Sequence, residues 1–247
     1  MAKVIVEVCC GSVDDVIESK KAGASRVELN SSLFLGGLTP SIGEVIVAKK
    51  AGMEIMAMVR PREGGFCYTD AEFETMLADA KALLEAGADG IVFGFLHPDG
   101  TIDMERCRKM MEVIGDKQSV FHRAIDVVPD WRAAIETLCS LGVTRVLTSG
   151  QAPSVHYGMD VIRGMIEAAA GRIQILPGAG INLQNAKEVV EKTGCNQIHI
   201  ALHKSCADPS THGNTSIFYG GALYPPEDRF QMIDSEGVGR LYNTVNE

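Results

Sequence analysis

Residues 69–93 read TDAEFETMLADAKALLEAGADGIVF and contain one complete unit of helix, glycine and strand. Thr69 with Glu72 three residues later fits a capping box, which predicts a helix start. The helix that follows carries its apolar residues on one stripe, as a core-facing helix does: Phe73, Met76, Leu77, Ala80, Leu83 and Leu84. Gly87 stands where a left-handed residue commonly ends a helix. The apolar run 90–93 then predicts a buried strand.

The same unit recurs along most of the chain, and Ser41 with Glu44 fits a second capping box. Glycines at the predicted helix ends are Gly23, Gly52, Gly87, Gly115, Gly142, Gly171 and Gly194. Their spacing suits one strand plus one crossover helix. The predicted strands are 4–8, 26–29, 54–59, 90–93, 119–122, 145–148, 173–176 and 197–200. The pattern therefore predicts eight alternating strands and helices.

Eight such units in one chain favour closure into a single α/β domain, a (β/α)8 TIM barrel. An open doubly wound sheet is the alternative, but it usually carries a glycine-rich dinucleotide turn after its first strand. Here that turn reads Cys9-Cys10-Gly11-Ser12. We expect residues 1–247 to form one domain, in which 203–247 are an irregular C-terminal extension with a last helix near 239–245.

Composition excludes several classes of partner. The 247 residues are 46% hydrophobic and 22% charged, with a formal net charge of -9 and no block of Lys or Arg. Nucleic acids and anionic membranes need a basic surface, so neither is expected as a partner. No apolar run approaches the roughly 18 residues of a membrane span. The arginines near strand ends indicate a small anionic ligand instead.

Cysteine usage predicts the compartment. The seven cysteines are an odd number scattered through the sequence: Cys9, Cys10, Cys67, Cys107, Cys139, Cys195 and Cys206. The start, Met1-Ala2-Lys3, leads directly into a short apolar strand and does not resemble a secretory signal. We expect a cytoplasmic protein with mostly free thiols.

Polar residues collect at the carboxyl ends of the predicted strands, where barrels of this kind have their active sites. Period-two alternation places Val4, Val6 and Val8 toward the helices and Glu7 and Cys9 toward the barrel interior. The candidate catalytic residues are Glu7, Glu28, Arg60, His122, Asp126 and His199. Buried charges must pair with one another or with a ligand. A purely structural network, such as Glu28 with Arg60, is the alternative.

The segment Pro177-Gly178-Ala179-Gly180 follows the seventh strand, where small residues let backbone N–H groups approach an anion. Loops after strands seven and eight often bind phosphate in this fold. The candidate anion-binding residues are Arg62, Ser149, Gly150, Gly178 and Gly180. The two glycines alone are equally consistent with a tight turn.

Cys9 and Cys10 form a candidate soft site for Cu(I). The sequence contains neither a Cys-x-x-Cys pair nor a His-Glu-x-x-His helix. Adjacent strand residues point to opposite faces, so both thiols can bind one ion only if the strand ends between them.

Several motifs resemble the CutC family, in family order over about residues 4–202. They are EVCC at 7–10, RVEL at 26–29, GGLTPS at 36–41, RPR at 60–62, GFCY at 65–68, FHRAID at 121–126, VLTSGQ at 146–151 and GAG at 178–180. The resemblance implies a TIM barrel, a cytoplasmic setting, a homo-oligomer and a role in copper homeostasis or copper binding. It also implies a site at Glu7, Cys9, Cys10, Glu28, Arg60, Arg62, His122, Asp126 and Ser149. Asn30 departs from the pattern, since some members have Cys there.

Three functions follow as hypotheses. The first is a copper-handling protein that binds Cu(I) through Cys9 or Cys10. The second is an enzyme acting on a small phosphorylated or carboxylated metabolite, with Glu7 or Glu28 and His122 in acid–base roles and Arg60 as an electrostatic clamp. The third is a binding barrel without chemistry. We rank copper handling first.

Overall fold

The computed structural model describes residues 3–220 and 226–247. Residues 1–2 and 221–225 lie outside the described part. They include Met1 and Ala2, which precede the first predicted strand, and part of the predicted C-terminal extension. The strands of the main sheet are all parallel and run β1 Ile5–Cys10, β2 Arg26–Leu29, β3 Ile55–Met58, β4 Gly90–Phe93, β5 Gln118–Phe121, β6 Arg145–Thr148, β7 Gln174–Pro177 and β8 Gln197–Ile200. The prediction of eight alternating strands is confirmed.

Each strand of the sheet is followed by a helix, except that β8 leads first into the C-terminal extension. The helices are α1 Val13–Lys21, α2 Ile42–Lys49, α3 Asp70–Glu85, α4 Met104–Ile114, α5 Trp131–Ser140, α6 Val155–Ala169, α7 Ala186–Thr193 and α8 Ser235–Asn246. The sheet order is β7-β6-β5-β4-β3-β2-β1-β8. Its two end strands approach each other, and the Gln197 amide donates to Gln174 Oε1 at 3.3 Å. The sheet is therefore nearly closed into the predicted barrel.

Local sequence signals explain the element boundaries. All seven glycines predicted at helix ends have positive φ, from 58° to 106°. Both predicted capping boxes form, at Ser41 with Glu44 and at Thr69 with Glu72. Each box satisfies backbone N–H groups that a helix start leaves without partners.

The extension is more regular than predicted. Strands β9 His203–Ala207 and β10 Arg229–Ile233 pair antiparallel as a separate two-stranded sheet. The predicted irregular structure of 203–247 is therefore wrong for these segments, while the last helix is confirmed as α8. Most of β9 and β10 is exposed or half-buried, so their sequences lack the alternation that marks a strand. The Ile233 N–H donates to Asp15 of α1 at 2.7 Å and anchors the small sheet beside the barrel.

The barrel interior has three layers. At the amino ends of the strands lies a polar belt, here called the base: Arg26, Gln118, Arg145, Gln174 and Gln197. Above it is an apolar plug, separate from the main core between sheet and helices: Met56, Met58, Val92, Val120, Leu147 and Leu176. The carboxyl ends of the strands open into a polar region, here called the mouth: Cys9, Glu28, Arg60, His122 and His199. The plug fills the barrel and leaves the mouth as its open end.

Candidate functional site at the barrel mouth

Glu7 links the base to the mouth. Its carboxylate accepts a hydrogen bond from Arg26 Nε and lies 2.8 Å from His199 Nδ1. Burial would raise the pKa of Glu7, but Arg26 and His199 together lower it to about 2. Glu7 is therefore a fixed anion that orients the imidazole of His199, and both of its oxygens are engaged.

Cys9, Glu28 and His199 come together at the mouth. One donor atom from each, the Cys9 Sγ, a Glu28 carboxylate oxygen and a ring nitrogen of His199, lies within 4.8 Å of the other two. Glu7 engages Nδ1 of His199, so Nε2 faces Glu28 Oε2 at 3.9 Å. Carboxylate, imidazole and metal in series is the usual arrangement for a histidine ligand. The three donors therefore have the geometry of a small metal site.

The charge state of this cluster follows from burial and from its mutual contacts. Burial raises the pKa of Cys9 to about 11 and also raises that of Glu28. Burial would lower the pKa of His199, but Glu28 and the hydrogen bonds of Cys9 and Glu7 raise it well above 6.5. At neutral pH the thiol is protonated, so a bound metal must displace protons from the cluster.

Cys10 does not join this cluster. Strand β1 continues through both cysteines, so their side chains point to opposite faces. The Cys10 thiol is buried behind the sheet, 3.5 Å from the Ser19 hydroxyl of α1. One ion on both thiols requires the strand to end between them, and β1 does not, so of the two candidate ligands only Cys9 faces the mouth.

Arg60 occupies the opposite wall of the mouth and is held by backbone carbonyls. Its Nη1 donates to Leu35 and Gly37 at 3.0 and 3.1 Å, and its Nη2 donates to Gly64 at 2.8 Å. Within the described residues no carboxylate lies within salt-bridge distance of Arg60. The alternative of a structural Glu28–Arg60 pair is wrong.

His122 projects from the end of β5 toward the same space. Its Nδ1 accepts a hydrogen bond from the Ala124 N–H at 3.2 Å. Burial, reinforced by the positive charge of Arg60, lowers the pKa of His122 to about 3. The ring is neutral at physiological pH, and because Nδ1 is the acceptor its proton is on Nε2.

Two cavities meet at Cys9, Glu28 and Gly36. The inner cavity, about 290 Å³, is lined by Cys9, Glu28, Gly36, Met58, Arg60, Phe66, His122, Arg123, Leu147 and His199. The outer cavity, about 530 Å³, is lined by Cys9, Glu28, Asn30, Leu33, Phe34, Gly36, Ala201, His203 and Gln231. Cys9 and Glu28 are shared, so a ligand in either space reaches the same two side chains.

Asp126 and Ser149 lie beside the mouth, in a saturated network. Asp126 accepts from the hydroxyls of Thr148 and Ser149 at 2.6 and 2.8 Å and from Arg123 Nε at 2.8 Å. The Gly150 N–H donates to Thr148 Oγ1. These contacts brace the β6 loop and position Arg123, which itself lines the inner cavity.

The other predicted anion-binding residues are also committed to the scaffold. Arg62 pairs with Glu72 of α3 at 2.6 Å and does not line either cavity of the mouth. The Gly178 N–H donates to the Thr148 carbonyl, and the Gly180 carbonyl accepts from Asn185. The structure thus brings together Glu7, Cys9, Glu28, Arg60, His122 and His199 but keeps this second set apart.

Sequence reasoning missed three residues that build the site. Arg26, the partner of Glu7, lies two residues before Glu28 on β2, so period-two alternation could have placed it inside the barrel. Phe66 packs against His122 with ring centroids 4.7 Å apart and ring planes tilted by 49°. A Cβ at Gly94 would lie 2.4 Å from the His122 ring, so only glycine leaves room for it. No local signal reveals these last two contacts, because they are tertiary.

The nearly closed parallel sheet and the polar cluster at its carboxyl end define a (β/α)8 barrel with a ligand site at its mouth. The sequence model of the CutC family matches residues 4–204. This chain therefore belongs to the CutC family.

Relatives agree with this assignment over nearly the whole chain. A family protein CutC from Treponema denticola is 54% identical over 99% of this chain and 100% of its own length. A human protein named copper homeostasis protein cutC homolog is 39% identical over 96% of this chain and 87% of its own length. A crystal structure of a copper homeostasis protein CutC from Streptococcus agalactiae superposes with a TM-score of 0.76 and 33% identity, covering 79% of this chain and 97% of that one. No helix among the described residues is long and apolar enough to cross a bilayer.

Proposed function

We propose that this protein binds a single Cu(I) ion at the barrel mouth, through Cys9, His199 and Glu28, as part of cytoplasmic copper homeostasis. The observation that carries the proposal is the convergence of three donor atoms within 4.8 Å on an imidazole already oriented by a carboxylate. The copper homeostasis name of the human relative supports the choice of metal.

The donor set fits Cu(I) in part through its soft ligand. A thiolate favours Cu(I), and imidazole suits copper generally, whereas a carboxylate is a harder donor. Cys9 and His199 are therefore the principal ligands in this proposal, and Glu28 is the third. Glu28 Oε2 also accepts the S–H of Cys9 at 3.7 Å, and the proton of this thiol must leave the cluster to solvent when copper binds.

Anaerobic Cu(I) titration with a competing chelator tests this assignment. We expect the wild type to bind one equivalent. Cys9→Ser should lower the affinity by at least tenfold, because it replaces the soft thiolate at position 9 with a hard hydroxyl. Cys10→Ser is the matched control: it removes the neighbouring thiol from the other face of the same strand and should leave the affinity unchanged. Equal losses in both variants, or none in Cys9→Ser, would reject the site.

An acid–base enzyme acting on a small anionic metabolite is the second candidate. The observation that favours it is Glu28 Oε1, a buried carboxylate oxygen without a hydrogen-bond partner in a cavity large enough for a small molecule. Exchange of the methyl hydrogens of pyruvate with D2O, followed by NMR, is a direct readout of proton abstraction. Exchange that disappears in Glu28→Gln supports this candidate, and an absence of exchange with keto acids rejects it.

A homo-oligomer stays a prediction from the family resemblance. The described surface has exposed apolar side chains on α2, among them Ile42, Ile46 and Val47. Sedimentation velocity on the full chain tests the prediction directly.

A further inference from the structure

The inner cavity has a property that copper binding through Cys9 does not use. Two N–H groups on its wall, Arg60 Nε and His122 Nε2, are buried and have no hydrogen-bond partner. Their residues are only 7% and 4% exposed. Burying a donor without a partner costs the full free energy of its desolvation, on the order of 1–3 kcal/mol. Both residues line the same cavity, so a ligand with acceptor atoms in that space would supply the missing partners.

Arg60 presents a buried positive charge and N–H groups without partners. Its Nη1 and Nη2 atoms donate to three backbone carbonyls, which fixes the guanidinium and leaves the Nε–H and one Nη2–H without a partner. The loop that supplies two of these carbonyls turns at Gly36 and Gly37, both with φ above 80°. A buried cation without a carboxylate partner favours an anion beside it.

His122 presents a second free donor of fixed identity. The Ala124 N–H points at Nδ1, so the neutral ring carries its proton on Nε2. Phe66 packs against the ring and Gly94 lies in close contact with it, so the orientation of the donor is restricted as well.

The opposite side of the cavity offers an acceptor. Glu28 Oε1 has no hydrogen-bond partner, while Oε2 accepts from Asn30 at 3.0 Å. Met58 and Leu147 form an apolar floor between the two polar walls. The volume of about 290 Å³ corresponds to roughly ten water molecules and suits a molecule of a few carbon atoms.

From this arrangement we infer that the inner cavity is a binding site for a small hydroxycarboxylic acid. The carboxylate accepts from Arg60 Nε and His122 Nε2, and the hydroxyl donates to Glu28 Oε1. The Arg60 Nε–H and the His122 Nε2–H match the two oxygens of a carboxylate, and the charge of Arg60 matches its single negative charge, whereas a phosphate carries about two. Arg123, at the rim of the cavity, is paired with Asp126 and leaves Arg60 as the cation for the ligand.

Calorimetric titration of the metal-free protein with glycolate and lactate tests the inference, with acetate, glycerol and inorganic phosphate as comparison ligands. We expect the hydroxy acids to bind, acetate to bind more weakly, and glycerol and phosphate not to bind. Stronger binding of phosphate, or no binding of either hydroxy acid at millimolar concentration, would overturn the inference.

A pair of His122 variants isolates the donor. His122→Asn keeps an acceptor for the Ala124 N–H but loses the Nε2–H, so glycolate affinity should fall by about tenfold, the value of one hydrogen bond to a charged group. His122→Gln places an amide N–H near the former Nε2 and should recover most of that loss. Both variants lose the ring contact with Phe66, so equal affinities in the two would overturn the role of the donor even if both are less stable.

Two further variants separate this site from its surroundings and from copper. Arg62→Gln removes a nearby arginine that pairs with Glu72 outside the cavity, and glycolate affinity should not change. Cys9→Ser should abolish tight copper binding, whereas His122→Asn, at a residue that is not a proposed copper ligand, should lower glycolate affinity and leave Cu(I) affinity within about threefold of the wild type. Because the inference does not depend on copper, failure of the copper titration leaves it standing, and failure of glycolate binding leaves the copper site standing.

Discussion

The base and the mouth of the barrel both bury charged side chains, but they differ in how those charges are satisfied. In the base, Arg26 pairs with Glu7 and Gln197, and Arg145 pairs with Gln118 and Gln174. Within the described residues, Arg145 Nη1 is the one side-chain polar atom of that layer without a partner. Arginine and glutamine side chains there satisfy most of one another's hydrogen bonds, so we interpret the base as a structural layer.

The mouth has the opposite character. Glu28 Oε1, Arg60 Nε and His122 Nε2 are all buried there without partners. Folding places these groups in a low-dielectric space at a cost in free energy, which a protein recovers only when something binds. Charged and polar side chains of similar types therefore form a structural layer at one end of the sheet and a candidate ligand site at the other.

We expect the largest loss of stability from a substitution in the base. Arg26→Met leaves the buried carboxylate of Glu7 without its arginine partner and with His199 as its remaining ionic contact, so we expect the free energy of unfolding to fall by about 3–5 kcal/mol. Urea unfolding measures it. Adding Glu7→Gln to this variant removes the stranded charge and should restore much of the loss; a single variant as stable as the wild type would show that the base is not a satisfied network.

The pH dependence of stability reports the free-energy cost of burying His122 at the mouth. His122 has a pKa of about 3 in the folded protein and 6.5 when unfolded. Because the folded pKa is the lower one, the unfolded chain binds more protons below pH 6.5, and stability falls as pH falls from 6.5 toward 3. Between pH 7 and pH 4 this one group should remove about 2–3 kcal/mol.

Comparison of wild type with His122→Asn over that pH range isolates the contribution, since the variant lacks the titrating ring. Parallel stability curves for the two proteins would contradict a neutral buried His122.

Gly94→Ala tests whether the mouth depends on the close contact between Gly94 and the His122 ring. The added methyl would lie 2.4 Å from the His122 ring and 3.0 Å from the Ala124 side chain, so the ring must move. We expect a loss of stability of about 1–3 kcal/mol by overpacking, together with weaker glycolate binding. Thermal unfolding and calorimetry measure the two effects, and unchanged glycolate affinity would mean that His122 does not face the ligand.

The smallest expected effect is at Glu28, where removing a buried charge should have little influence on stability. Glu28→Gln keeps an oxygen for the Asn30 amide and removes a carboxylate oxygen that has no partner. We expect the free energy of unfolding to change by less than about 1 kcal/mol, while Cu(I) affinity falls. A loss comparable to that of Arg26→Met would place Glu28 among the structural residues of the base.

The barrel could be predicted from the sequence because its signals are local. Capping residues, helix-ending glycines and apolar runs lie within each unit, and four strands, among them β2 and β6, have the predicted bounds. The pairing of β9 with β10 could not be predicted, because more than twenty residues separate them and neither has a buried face.

The site could be predicted in part. Alternation placed Glu7, Cys9 and Glu28 in the interior, and it also predicted that a continuous β1 would separate Cys9 from Cys10. It could not show which charges find partners: Arg62 pairs with Glu72, whereas Arg60 has none. Both arginines donate to backbone carbonyls of nearby loops, but only Arg62 also lies beside a carboxylate, that of Glu72 on α3. That difference depends on the path of the loops around 35–37 and 63–67, which is a tertiary feature.

Anomalous diffraction from crystals of the protein loaded anaerobically with Cu(I) tests the central claim most directly. If the mouth is a copper site, we expect one copper peak within bonding distance of Cys9 Sγ and His199 Nε2, beside the Glu28 carboxylate. A peak at Cys10 or at another cysteine, or a mouth without copper while the metal binds elsewhere, would contradict it.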